Sequence, residues 1–120
     1  MIRKKIIPIV IFTVFMVGCS SKADLYTINV DVASKKANGK AWDIMGGSPD
    51  IKVLIDKHPL HLSSSCRDTY RCSLNFTSKK DNWYIEIYDM DIDSDDLIGK
   101  GDCEEGDECN FGLATVRIED

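Results

Sequence analysis

The feature that most constrains this chain is a two-residue alternation of apolar and polar side chains that returns along most of its length. Tyr26, Ile28, Val30 and Val32 alternate with Thr27, Asn29 and Asp31. The pattern recurs in Ile51, Val53 and Ile55, in Cys72, Leu74 and Phe76, in Trp83, Ile85 and Ile87, and in Ala114, Val116 and Ile118. Successive side chains of an extended strand point to opposite faces, so each run makes one apolar and one solvated face. β-Branched residues are frequent at the apolar positions, which suits a pleated, half-buried surface. No stretch keeps apolar residues at helical spacing for three turns, and clusters of Gly, Pro, Ser, Asn and Asp separate the runs. The pattern predicts an all-β fold, a compact antiparallel β-sandwich with one face of each strand in a shared core. A length of 120 residues allows one domain.

The N-terminal end differs in kind. Met1-Ile2-Arg3-Lys4-Lys5 is basic, and an almost unbroken apolar run follows from Ile6 to Val17. That run is about 12 residues long, too short for the roughly 20 of a membrane-spanning helix; a charged start before it is the pattern of a secretory signal. It ends in Met16-Val17-Gly18-Cys19. These residues resemble the lipobox of bacterial lipoproteins, with Met16 where Leu is usual. The resemblance implies cleavage after residue 18 and a lipid on Cys19. By the family's sorting pattern, Ser20 implies an outer-membrane address, with the domain facing the periplasm or the cell surface. The chain then divides into a signal peptide (1–18), a lipidated Cys19 with a short tether (19–23) and the sandwich domain (24–120). The alternative is an ordinary signal peptide with Cys19 in a disulfide.

With Cys19 set aside, Cys66, Cys72, Cys103 and Cys109 remain, and an even number in an exported chain of this size implies two disulfides. The intervals 66–72 and 103–109 each enclose five residues, which favours the local pairs Cys66–Cys72 and Cys103–Cys109 among three connectivities. Such short loops contribute about 2–3 kcal/mol each by constraining the unfolded chain. The close Cys-x-x-Cys pairs of zinc sites are missing from the sequence.

The net charge of −5 argues against nucleic acid as a partner. Loss of Arg3, Lys4 and Lys5 with the signal leaves 12 of the 15 basic side chains against all 20 acids. The acidity is also lopsided: residues 81–120 hold 14 carboxylates against Lys100 and Arg117, so one part of the domain carries a negative field.

Two acidic clusters fall at ends of expected strands. One is Trp42-Asp43-Ile44-Met45-Gly46-Gly47-Ser48-Pro49-Asp50; the other is Asp89-Met90-Asp91-Ile92-Asp93-Ser94-Asp95-Asp96-Leu97-Ile98-Gly99. Carboxylates crowded in irregular loops repel one another unless a hard cation joins them, and calcium, with six to eight oxygen ligands and tolerant geometry, suits such a site. An EF-hand loop beginning at Asp89 fits badly, with Ser94 at the glycine position and Lys100 at the position of the bidentate Glu. The carboxylates must come from more than one loop.

Both segments resemble C2 domains, β-sandwiches in which loops at one end hold calcium. Asp43 to Val53 is similar to the family's first calcium loop and following strand, with Pro and Asp exchanged and one extra residue between the acids. Tyr88-Asp89-Met90-Asp91, then Asp96-Leu97-Ile98-Gly99, is similar to the later loop, with one residue fewer before the last acid. The resemblance covers about half of the mature chain. It implies Asp43, Asp50, Asp89, Asp91 and Asp96 as calcium ligands, with Asp93 and Asp95 as substitutes. A solvated acidic rim without metal is the alternative.

Other tempting residues carry less. His58 and His61 have no nearby Cys or paired carboxylates and read as surface histidines; Ser63-Ser64-Ser65 lacks the frame of a nucleophile elbow. No nucleophile, base and oxyanion donor come together, so the sequence reads as a non-enzyme. The leading expectation is an outer-membrane-anchored, calcium-binding module contacting an envelope protein or anionic lipid. The competing ones are a metal-independent assembly or accessory lipoprotein of the pilotin or secretion-apparatus kind, and an inhibitor or immunity lipoprotein.

Overall fold

A computed structural model describes residues 22–42, 47–61, 64–91 and 95–120. Among them are eight strands: β1 (Asp24–Val32), β2 (Ile51–Ile55), β3 (His58–Pro59), β4 (Arg71–Ser78), β5 (Asn82–Asp89), β6 (Asp96–Glu104), β7 (Glu108–Phe111) and β8 (Ala114–Glu119). They form two four-stranded sheets, ordered β4-β1-β8-β7 and β3-β2-β5-β6, with every pairing antiparallel. The inward-facing residues meet as one core that includes Ile28, Val30, Ile51, Val53, Ile85, Ile87, Val116 and Ile118, so the chain is the all-β sandwich that the alternation predicts. At one end Tyr26, Phe76 and Trp83 pack as an aromatic trio, with ring centroids 4.9–5.6 Å apart.

Turn chemistry explains the short connections. The hairpin between β2 and β3 places Asp56 and Lys57 at φ 50° and 72°, two left-handed residues in a two-residue loop. Asp56 is held there by the N–H of Tyr84 on Oδ1 and by Lys80 on Oδ2. Burial works to raise its pKa, but these two donors outweigh burial and hold the carboxyl below its usual value. Gly112, at φ 67°, opens the two-residue loop between β7 and β8.

Both expected disulfides are formed. Cys66–Cys72 ties a short 3-10 turn, Ser64–Cys66, to the start of β4, while Cys103–Cys109 joins β6 of one sheet to β7 of the other. Along the same boundary Phe111 lies against Gly99 and Gly101 of β6. A Cβ at Gly99 would collide with the Phe111 carbonyl oxygen, and one at Gly101 with the Phe111 ring. The two glycines are what allow β6 to lie this close to β7.

The strand β6 was not visible in the alternation, and its irregularity explains why. Ile87 pairs with Gly99, but Tyr88 pairs with Leu97, so Ile98 is an extra residue in a β-bulge. The bulge turns Ile98 into the core, leaves Leu97 about half exposed, and sets Asp96 opposite Asp89. A regular register would have set Leu97 there.

Candidate metal centre

Asp89 closes β5 on its core-facing side, and this position creates the site. The residue is 3% exposed. Its Oδ1 accepts the N–H of Asp50 at 3.1 Å, and the Met90 N–H donates to the Asp50 carbonyl at 2.9 Å, so the end of β5 is stitched to the start of β2. Oδ2 is buried and has no hydrogen-bond partner. Burial pushes the Asp89 carboxyl up to about 6; the Asp50 N–H opposes the shift, and the neighbouring charges of Asp91, Asp96 and Asp50 add to it.

Carboxylate oxygens of Asp89, Asp91 and Asp96 lie within 4.8 Å of one another. Asp91 is exposed and Asp96 partly buried, so the group is closed toward the core and open toward solvent. Calcium sits about 2.3–2.6 Å from its oxygens, so two ligands of one ion are at most about 5 Å apart. The three acids meet that condition. A buried carboxylate with one unpartnered oxygen at the closed end of the group, an all-oxygen donor set and an open outer side together fit a hard divalent cation.

The other buried acid makes a useful contrast. Glu86 is 6% exposed on the outer side of β5, and its Oε1, like Asp89 Oδ2, is buried without a hydrogen-bond partner, but its Oε2 accepts the Tyr88 hydroxyl at 2.9 Å and the Lys57 Nζ stands 3.6 Å from Oε1. Burial at Glu86 comes with its own counter-charge. At Asp89 it comes with two more acids.

Of the expected ligands, Asp89, Asp91 and Asp96 are brought together. Asp50 adjoins them: its backbone N–H steadies Asp89, and its Oδ1 accepts the N–H of Asp68 at 2.7 Å. Asp95 is held by Lys52 at 2.9 Å. Asp43 and Asp93 lie outside the described residues, as does Cys19 with the whole signal and lipobox region.

Three residues around the acids escaped the sequence reading. Asp68, at φ 49°, accepts the Ser48 N–H on Oδ1 at 3.2 Å while giving its own N–H to Asp50, which locks the 47–50 loop against the 67–69 loop. Lys36 reaches Asp96 Oδ2 at 3.3 Å, and Lys52 takes Asp95. The Cys66–Cys72 interval was the only hint of Asp68, since a constrained loop favours specific backbone contacts; the lysines sit 60 and 43 residues from their acids and left no local signal. No protein-family model matches this chain, and no match to a curated protein emerges.

Proposed function

We propose that this protein is a calcium-binding module, tethered to the bacterial envelope through a lipid on Cys19 and acting by presenting the cation to an anionic group on an envelope protein or lipid. The observation that carries the reading is the Asp89 carboxylate, buried with Oδ2 unpartnered and with an oxygen within 4.8 Å of carboxylate oxygens of Asp91 and Asp96. The likeness of both acidic segments to C2 calcium loops supports it. Asp89, Asp91 and Asp96 hold the ion in this reading, with Asp43 and Asp50 as the further ligands that the C2 resemblance implies. A bound calcium supplies positive charge and open coordination positions, turning a repulsive acidic end into an acceptor for phosphate or carboxylate oxygens.

Isothermal titration of the purified protein with calcium tests this. Binding in the range of about 0.1–1 mM, that of extracellular modules, is expected, and it should vanish in Asp89→Asn plus Asp91→Asn. Absence of binding by the unaltered protein would overturn the reading. A metal-independent scaffold has its own support: Lys36 and Lys52 already pair with Asp96 and Asp95. On that reading a basic partner is captured equally well in chelator, and salt alone releases it.

A further inference from the structure

Lys36 is the one cation touching a member of the three-acid group among the described residues. Its position is built rather than incidental. The loop that follows β1 is pinned at its base by the Ala33 N–H on the Leu113 carbonyl at 2.8 Å. It is closed internally by the Lys36 N–H on the Lys40 carbonyl and the Gly39 N–H on the Lys36 carbonyl, both at 2.9 Å. Trp42, only 4% exposed, returns the chain to that base by donating its indole N–H to the Ala33 carbonyl at 2.8 Å. The Lys36 ammonium lies 5.9 Å from the centre of the Trp42 ring and 3.3 Å from Asp96 Oδ2.

We propose that Lys36 is a tethered competitor for the cation, whose ammonium occupies Asp96 in the metal-free protein and must leave when calcium binds. This rests on the calcium reading above and deepens it by naming what regulates the site. An ammonium on Asp96 Oδ2 satisfies part of the charge that a divalent ion requires, so every binding event includes the loss of that ion pair. Lys36 thereby sets the affinity lower than the acids alone would give. It also couples occupancy to the loop that carries Trp42. Lys52 differs: its acid, Asp95, is outside the three-acid group, and the pair can persist in the loaded protein.

Calcium titration of the purified protein and of Lys36→Met, Lys36→Gln and Lys52→Met provides the test. Each variant removes one positive charge. Either Lys36 substitution should tighten calcium binding about three- to tenfold, while Lys52→Met should change it by less than about twofold. Calcium should also shift the tryptophan emission of the unaltered protein, and that shift should be lost in Lys36→Met. Unchanged or weaker binding in both Lys36 variants would overturn the competition and leave the calcium site standing. An equal gain from Lys52→Met would also overturn it, because general charge then explains the effect. If neither the unaltered protein nor the Lys36 variants bind calcium, the calcium reading fails and this inference with it.

Discussion

Asp89 faces two opposed demands. Its backbone belongs to the last pair of β5, and its side chain lies on the side of the strand that also carries Ile85 and Ile87, a place that suits an apolar residue. Its charge is therefore costly in the metal-free protein, and the sign of that cost is fixed by the raised pKa. The unfolded chain ionises Asp89 near 3.8, whereas the folded chain does so near 6. Stability is thus highest with the group protonated and falls as pH rises between these values, with the full cost present above about 6. Asp89→Asn keeps an oxygen for the Asp50 N–H and removes the charge. Without metal at pH 7.5 it should raise stability by on the order of 1 kcal/mol, after allowing for water at the open side of the acids. It should also flatten the unaltered protein's decline between pH 4 and 6, measured as the difference between the two denaturant midpoints. Lower stability of Asp89→Asn at pH 7.5 would show that the buried charge is compensated in the metal-free fold. Calcium should stabilise only the unaltered chain.

Elements show where the sequence was readable and where it was not. Five strands announced themselves because their inward positions carry large apolar side chains at regular spacing, as in Ile28, Val30 and Val32 or Ile85 and Ile87. The cysteine spacing likewise made the local disulfides legible, since five enclosed residues suit a bridge across a turn. β6 left no such trace. Its inward positions are Gly99, Gly101 and Cys103, with Phe111 supplying the missing bulk from β7, and the bulge at Ile98 breaks the alternation besides. That bulge also decides which acid faces Asp89; the likeness to C2 loops named Asp89, Asp91 and Asp96 together, while nothing in the alternation set Asp96 opposite Asp89. The glycines yield a graded prediction. Gly99→Ala sets a methyl against a backbone carbonyl that cannot move without disturbing the turn at Gly112, and should cost about 2–3 kcal/mol. Gly101→Ala meets a ring that can rotate, and should cost about 1 kcal/mol. Thermal midpoints check the order; equal losses would mean that the Phe111 backbone yields as readily as its ring.

At the scale of the molecule, strand direction sets which end of the sandwich the chain enters, and so which end would face the lipid anchor proposed at Cys19. β1 starts at Asp24, paired with Ser78, and Ser78 Oγ accepts the Trp83 indole N–H at 2.9 Å. Trp83 therefore marks the end at which the described chain enters the sandwich. β1 then runs nine residues to Val32, roughly 30 Å at the usual strand rise, and the loop beyond it carries Lys36 to Asp96 and Trp42 to Ala33. Trp42 marks the acidic end. If Cys19 is lipidated, only a short tether separates the bilayer from Asp24, so the acids project away from the membrane that holds the protein. On the calcium reading proposed above, the anionic group then belongs to a partner away from the anchoring membrane rather than to the anchoring lipids. Energy transfer to a dansyl-labelled phospholipid separates the two arrangements. With the lipidated full chain in vesicles, Trp42→Phe, which leaves Trp83 as donor, should transfer strongly, and Trp83→Phe, which leaves Trp42, only weakly. Adding Cys19→Ser to either should abolish transfer by releasing the protein from the vesicle. Equal transfer from both tryptophans, or stronger transfer from Trp42, would mean that the sandwich lies over with its acidic end against the bilayer. The anchoring membrane itself would then be the surface that calcium bridges.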